Sequence, residues 1–309
     1  MALQIIDGGD LKATTIVAVI YGSPSIGKTT LAFTASKPIL FDFDGNAFKA
    51  SNRAGKKVVG VESWQDLKSM NRQDIESYDT LIVDTVGTCL DKLAVDIMAG
   101  DARKGSGGTL NVQGYGALKT RFKTWLDMVR SFGKDVVLIA HGEEDQRGDE
   151  TMDRIVATGS SKQTIYQQAT IMGRYYVGGD GRTLTFEPTP TSFGKNVGLE
   201  DYIIRAPSLQ PHLMAEILRE AKRLINDHAD DDDAEHRRLA QLREHITGID
   251  DIAEFQRLLG KMIEHDAGPI DRKILVEVGE SKGFEIDRAA KAFKAPTDEE
   301  EAVSPEAPF

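Results

Sequence analysis

The chain has 309 residues, 40% of them hydrophobic and 28% charged, with a formal net charge of −11. That length accommodates one large α/β core plus a smaller attachment, and no apolar run approaches the roughly 18–20 residues of a bilayer-spanning helix, so no membrane role is expected. Residues 1–209 hold 24 Lys+Arg against 25 Asp+Glu (net −1) and residues 210–309 hold 14 against 24 (net −10), so the acidity is C-terminal and the larger part is free to carry a local basic groove.

In chain order, Met1–Lys12 shows no basic start followed by an apolar stretch and cleavage site, so no secretory signal is expected. The continuous apolar run Ile16–Tyr21 predicts a strand buried on both faces, and Thr29–Ala35 suits a helix. Between them lies Gly22-Ser23-Pro24-Ser25-Ile26-Gly27-Lys28-Thr29. Further buried strands are predicted at Pro38–Phe43, Thr80–Val83 and Val136–Ala140. Cys89, the single cysteine, excludes an intramolecular disulfide and a multi-cysteine zinc site; it reads as a small core residue in a reducing, cytoplasmic setting. Gly116–Phe132 spaces Leu118, Phe122, Trp125, Leu126 and Val129 as one face of a helix. The alternation of strand and helix predicts an α/β fold with a mostly parallel sheet, and Gly173–Phe186, alternating around Gly178–Gly181, predicts an antiparallel hairpin at one edge.

Leu209–Asn226 reads as a further helix and closes a core spanning residues 1–227. Residues 228–235 form a strongly acidic run expected to be a solvated linker, residues 236–294 carry the periodicity of a small helical C-terminal module, and residues 295–309 are expected to be an acidic disordered tail.

The glycine-bearing loop between strand and helix is the strongest chemical signal. Gly22 through Thr29, with Thr30 behind them, suit a cradle in which successive backbone N–H groups wrap phosphates. Lys28 would bridge the β- and γ-phosphates of ATP, and the Thr29 hydroxyl would ligate Mg²⁺. Asp84, ending the run Thr80–Asp84, is the acid expected to hold a magnesium-bound water. Leu40-Phe41-Asp42-Phe43-Asp44 ends another strand near the same edge; Asp44 is the expected base for the attacking water, with Asp42 structural and Glu62 in reserve. His141 closes Val136–His141 where a polar side chain would sense the γ-phosphate.

These motifs, together with Gly114-Tyr115-Gly116, resemble those of bacteriophage RecA-like ATPases over residues 12–210. Members are often described as phage nucleotide-binding or AAA-domain proteins and include single-strand annealing recombinases. The resemblance implies a RecA-like P-loop NTPase core that binds single-stranded DNA and self-associates into rings or filaments with ATP between subunits. It places Lys28 and Thr29 on phosphate and magnesium, Asp84 in the second motif and His141 at the sensor. The group's usual base is glutamate, so Asp44, one methylene shorter, implies slow turnover.

The same resemblance assigns DNA-facing loops to Gly100–Gly114, with Arg103 and Lys104, and to Glu143–Lys162, with Arg147, Arg154 and Lys162, with Tyr115 or Tyr166 stacking on bases. The acids Glu143, Glu144, Asp145, Asp149 and Glu150 oppose that assignment. A cation donated across a subunit boundary is placed at Lys195, or Arg205. The end Asp298–Glu301 with Ala307-Pro308-Phe309 resembles the tails with which single-strand-binding proteins dock on host or phage replication and repair proteins. The expectation is a DNA-stimulated, magnesium-dependent ATPase of phage recombination that anneals or pairs single strands in a bacterial cytoplasm. A helicase or helicase-loading motor and a nucleotide-gated binding module are the alternatives.

Overall fold

The computed structural model describes residue 6 and residues 8–147, 150–157, 161–287 and 292–294, excluding the side chains of 144–147 and 150–152. In chain order it contains β1 (Val17–Gly22), α1 (Lys28–Ala32), β2 (Pro38–Asp42), β3 (Lys57–Gly60), α2 (Gln65–Lys68), β4 (Thr80–Asp84), α3 (Val86–Gly100), β5 (Gly105–Ser106), β6 (Thr109–Leu110), α4 (Val112–Ser131), β7 (Asp135–Arg147), β8 (Glu150–Ile155), α5 (Ser161–Gln168), β9 (Ile171–Gly178), β10 (Gly181–Thr185), β11 (Tyr202–Ile203), α6 (Leu213–Thr247), α7 (Ile252–Glu264), α8 (Pro269–Ser281), β12 (Glu285–Asp287) and β13 (Ala292–Lys294). Two compact units result, Met1–Asp227 and His228–Phe309.

In the first unit the sheet runs in the order β11-β10-β9-β1-β7-β4-β2-β3, with β8 paired to the outer half of β7. The pairings from β9 to β3 are all parallel, and the β9–β10–β11 edge is antiparallel. The expected α/β class with a mostly parallel sheet is therefore the fold observed. The cause is legible in β1, whose six residues are all buried. Successive side chains leave a strand on opposite faces. Val17, Val19 and Tyr21 join a core with Leu90 and Leu93 of α3 and Phe122 and Leu126 of α4; Ala18 and Ile20 join another with Leu31 of α1 and Met214 and Ile217 of α6. Cys89 is buried in the first core, and burial pushes its thiol pKa up.

Several boundaries differ from expectation. Helix α1 ends at Ala32 rather than Ala35, where the Thr34 hydroxyl donates to the Leu31 carbonyl in a closing turn. Helix α4 begins at Val112 rather than Gly116, because the Asn111 side chain caps it by accepting from the Gly114 N–H. Gly100–Gly114 is not an open glycine loop: Asp101 accepts from the Arg103 backbone, Asn111 donates to the Arg103 carbonyl, and β5 and β6 pair between them. Nor is Glu143–Lys162 a plain loop; β7 continues to Arg147 and pairs with β8, setting Glu143 opposite Arg154, a favourable cross-strand charge pairing.

The acidic run at 228–235 is exposed helix inside α6, not an irregular linker. Arg223 reaches Glu220 and Asp227, and Arg238 reaches Glu235, so (i, i+3) and (i, i+4) pairs support the helix on either side of the aspartates. In the second unit, Ile246, Phe255, Leu259, Leu275, Val278 and Phe293 make a small core. After its helices the strands β12 and β13 pair antiparallel, which helical periodicity alone did not predict. The proposed docking tail, residues 295–309, lies outside the described residues.

Candidate nucleotide site

The site is assembled at the C-terminal edge of the parallel strands, where open α/β sheets bind ligands. Register brings the parts together: Gly22 pairs with His141, and Asp42 with Asp84. The loop leaving β1 turns through left-handed backbone at Ser25 (φ 62°) and Gly27 (φ 110°), a geometry that aims neighbouring N–H groups into one concavity. Gly22 is required for another reason. A Cβ there would lie 2.0 Å from the Tyr175 carbonyl oxygen, so only glycine lets β1 and β9 pass this closely.

Around the loop lie three cavities. One of about 390 Å³ is lined by Lys28, Thr29, Asp44, Asp84 and His141, which it brings together. A larger one of about 480 Å³ flanks Ser23–Ile26, and a third of about 250 Å³ borders Gly27 and Thr30. Lys28 is 6% exposed; its ammonium donates to the Gly22 and Ser23 carbonyls, each at 2.8 Å. Burial lowers its pKa to about 8 against the opposing pull of Asp84. The Thr29 hydroxyl donates to the Asp84 carboxylate at 2.6 Å. Burial raises the Asp84 pKa, partly offset by that hydrogen bond and reinforced by the charges of Asp44 and Asp42.

Asp44 and Asp42 differ in environment. Asp42 accepts from the Asn46 and Ala47 N–H groups and caps the turn that follows β2. Asp44 faces the cavity, 3.8 Å from His141 Nε2 and accepting from the Thr85 hydroxyl at 3.4 Å. Burial works to raise its pKa, but hydrogen bonds from His141, Thr88 and Thr85 prevail and hold it below the ordinary carboxylate value. Glu62, two residues past the end of β3, is exposed and lies outside the lining of this cavity.

Among oxygen donors, a hydroxyl and a carboxylate 2.6 Å apart beside a buried lysine suit Mg²⁺, a hard cation that keeps most of its waters and takes one or two protein oxygens plus phosphate. The loop suits a polyphosphate. Thr29 and Asp84 would hold the metal, and Gly22–Thr30 the phosphates.

Other expected site residues are placed less directly. Lys195 donates to the Ala169 carbonyl at 2.9 Å and sits 4.5 Å from the Tyr166 ring, so its charge is engaged within its own chain. Tyr166 in turn packs on Phe193 and is not an open stacking surface. Arg205 lines the 250 Å³ cavity. Arg103 forms a two-pronged pair with Asp101, which Lys104 also approaches at 3.8 Å. Lys162 pairs with Glu143 at 2.8 Å, Arg154 stacks over Phe193, and Tyr115 is partly buried against the core. The Arg147 side chain lies outside the described residues.

Residues that the sequence did not single out also line the site. Asn46, Lys49 and Ala50 border the 390 Å³ cavity, and Tyr175 and Arg182 flank Gly27 from the β9–β10 hairpin. No motif marks them; only strand pairing brings them to the loop.

The AAA domain family matches residues 14–197, more than half of the chain. The chain belongs to that family. The match thus covers every residue placed around the phosphate loop except residues 204–207, Gln210 and Leu213 of the 250 Å³ cavity. The SPbeta prophage-derived uncharacterized protein YorG of Bacillus subtilis (strain 168) is 30% identical over 145 residues, covering 43% of this chain and 42% of that protein, so the chain matches less than half of this relative's length. A crystal structure of the RadB recombinase aligns with a TM-score of 0.32 and 16% identity over 55% of this chain and 79% of that one, a likeness that says nothing about activity. No helix among the described residues is long and apolar enough to cross a membrane.

Proposed function

We propose that the chain is a magnesium-dependent ATPase whose nucleotide state governs binding to single-stranded DNA during phage recombination. The observation that carries the ATPase is the Thr29–Asp84 contact at 2.6 Å beside the buried Lys28, with Asp44 across the same cavity. Lys28 would exchange its two carbonyl contacts for phosphate oxygens, Thr29 and Asp84 would fix the metal, and Asp44 would orient and deprotonate water. Bound Mg²⁺ would neutralise charge on the phosphates. Through its contact with Asp44, His141 would transmit the state of the γ-phosphate to the β7–β8 hairpin that begins one residue later. The DNA role is supported by the motif order, and the phage setting by the prophage relative. Assembly into rings or filaments, and a protein partner for the C-terminal tail, belong to the same reading.

One observation favours slow turnover, and hence use of the nucleotide mainly as a switch. A carboxylate held below its ordinary pKa, as Asp44 is, is a weaker base. The test is ATP hydrolysis by wild type and Lys28→Ala, with and without single-stranded DNA, at low and high salt. DNA stimulation that disappears in Lys28→Ala and fades with salt supports the recombination ATPase. Tight ATP binding without stimulated turnover supports the switch, and no binding at all refutes both.

A further inference from the structure

The β9–β10 hairpin delivers a cation to the phosphate loop from within the same chain. Arg182, on β10, lines both the 480 Å³ and the 250 Å³ cavities, so it stands astride Gly27. Its Nη1 lies 3.9 Å from where a Gly27 Cβ would be, and the Tyr175 hydroxyl lies 3.6 Å from the same point. The guanidinium makes no hydrogen bond or ion pair among the described residues, whereas Arg174, three pairs along the same ladder, is bound to Asp153 and stacked on Tyr176. Arg182 does not line the cavity of Lys28, Asp84, Asp44 and His141. Its side of the loop is therefore the one away from the γ-phosphate.

From this we infer that Arg182 is a nucleotide-binding residue acting in cis on the α- and β-phosphates, and that the 250 Å³ cavity beneath it receives the nucleoside. The inference rests on the nucleotide-binding part of the function proposed above. A phosphate loop holds the α- and β-phosphates by backbone N–H groups around its last glycine and the residues after it, here Gly27 to Thr30. Gly27 and Thr30 border the 250 Å³ cavity, whose other walls include Leu31, Tyr175, Ile204 and Pro207. Apolar walls with polar groups converging at one end suit a planar base and a ribose attached to phosphates. Arginine is the side chain that grips two phosphate oxygens at once.

The test measures affinity for fluorescent ADP and ATP analogues and, by competition, for pyrophosphate, in wild type, Lys28→Ala, Arg182→Ala and Ala206→Trp. Ala206 is an exposed residue of the cavity wall, and a tryptophan there fills the space without disturbing the core. Arg182→Ala is expected to weaken ADP, ATP and pyrophosphate alike by about ten-fold or more, the loss of one charge-assisted contact. Ala206→Trp is expected to weaken both nucleotides and leave pyrophosphate bound as in wild type. Circular dichroism and melting temperature establish that each variant is folded, and Arg182→Lys, restoring charge without the fork, should recover part of the loss. ADP affinity unchanged in Arg182→Ala overturns the inference, as does a loss confined to ATP, which would move the guanidinium to the γ-phosphate. Wild type that binds no nucleotide, or Lys28→Ala that binds as wild type, refutes the functional reading itself.

Discussion

Replacing Lys28 with methionine separates what the site costs the fold from what it does. Lys28 is 6% exposed, and burial takes its pKa from 10.5 to about 8. At about 1.4 kcal/mol per pH unit, keeping it charged at pH 7 costs about 3 kcal/mol. Methionine keeps most of the stem and removes the charge, but leaves the Gly22 and Ser23 carbonyls without their donor, at about 1 kcal/mol for the buried one and less for the other, which water reaches. The nucleotide-free variant should therefore be more stable at pH 7 by about 1–2 kcal/mol, or about 2–8 °C in melting temperature for a unit of this size. Because the folded pKa is the lower one, the unfolded chain binds the extra proton between pH 8 and 10.5, and wild-type stability rises through that window. The variant's advantage should be full below pH 8, cancel roughly one pH unit higher and be reversed by pH 10.5, where the neutral lysine keeps its hydrogen bonds at no charging cost. Both tryptophans, Trp64 and Trp125, are buried in the first core, so their fluorescence follows this unit alone. The measurement is thermal melting in EDTA across pH 7 to 10, with and without nucleotide. A variant less stable than wild type at pH 7, or an advantage that grows with pH, refutes the reasoning; loss of the nucleotide-induced shift in melting is expected in either case.

Gly22→Ala forces a methyl to within 2.0 Å of the Tyr175 carbonyl oxygen and must part β1 from β9, so the urea midpoint followed by tryptophan fluorescence should fall by the equivalent of about 3 kcal/mol or more; an unchanged midpoint would contradict the packing described. Asp44→Glu adds the methylene that the motif resemblance leads one to expect, and it should raise turnover several-fold if reach limits the base. Lower turnover from a folded Asp44→Glu variant would refute the limit of reach, whereas unchanged turnover in Asp44→Asn would remove Asp44 from that role. Phe255, fully buried, meets Phe284 and Phe293 edge-to-face at 5.1 and 5.5 Å, so Phe255→Ala should cost the C-terminal unit about 3–5 kcal/mol. Limited proteolysis should then cut within 228–294 while the tryptophan-reported melting of the first unit stays as in wild type.

The elements legible in the sequence were those fixed by their own residues. β1, β2 and β4 are continuous apolar runs, and a strand buried on both faces can hardly read otherwise. Misread were the segments whose composition says loop but whose hydrogen bonds say otherwise. Asp101 and Asn111 are polar turn residues, yet they tie Gly100–Gly114 to itself. The outer half of β7 is acidic and gains its order from pairing with β8, a contact between segments that neither predicts alone. The aspartates of 228–235 raised the expectation of a linker because they cannot be buried, but an exposed helix asks for no burial when its ladder is internal and flanking arginines offset the charge.

The site divides along the same line. Lys28 and Thr29 belong to one contiguous motif, and Asp84 and His141 end strands that were themselves legible, so their convergence at one sheet edge follows from parallel pairing. The accessory cation had no such anchor. Position after the edge hairpin pointed to Lys195, but its ammonium is turned onto the Ala169 carbonyl and the Tyr166 ring, where desolvation lowers its pKa and works against a free, mobile charge. Arg182 lies inside the hairpin, in a Gly-Arg-Thr stretch that reads as an ordinary exposed strand residue. Its place beside Gly27 depends on β10 pairing antiparallel with β9 while β9 runs parallel to β1, two registers that compound. An arginine with no carboxylate partner among the described residues, next to a loop shaped for anions, has its natural counter-charge in a bound phosphate. A cation supplied in cis binds nucleotide in the isolated subunit, so ADP affinity should not change with protein concentration, whereas any contribution from a neighbouring copy would tighten it as subunits assemble.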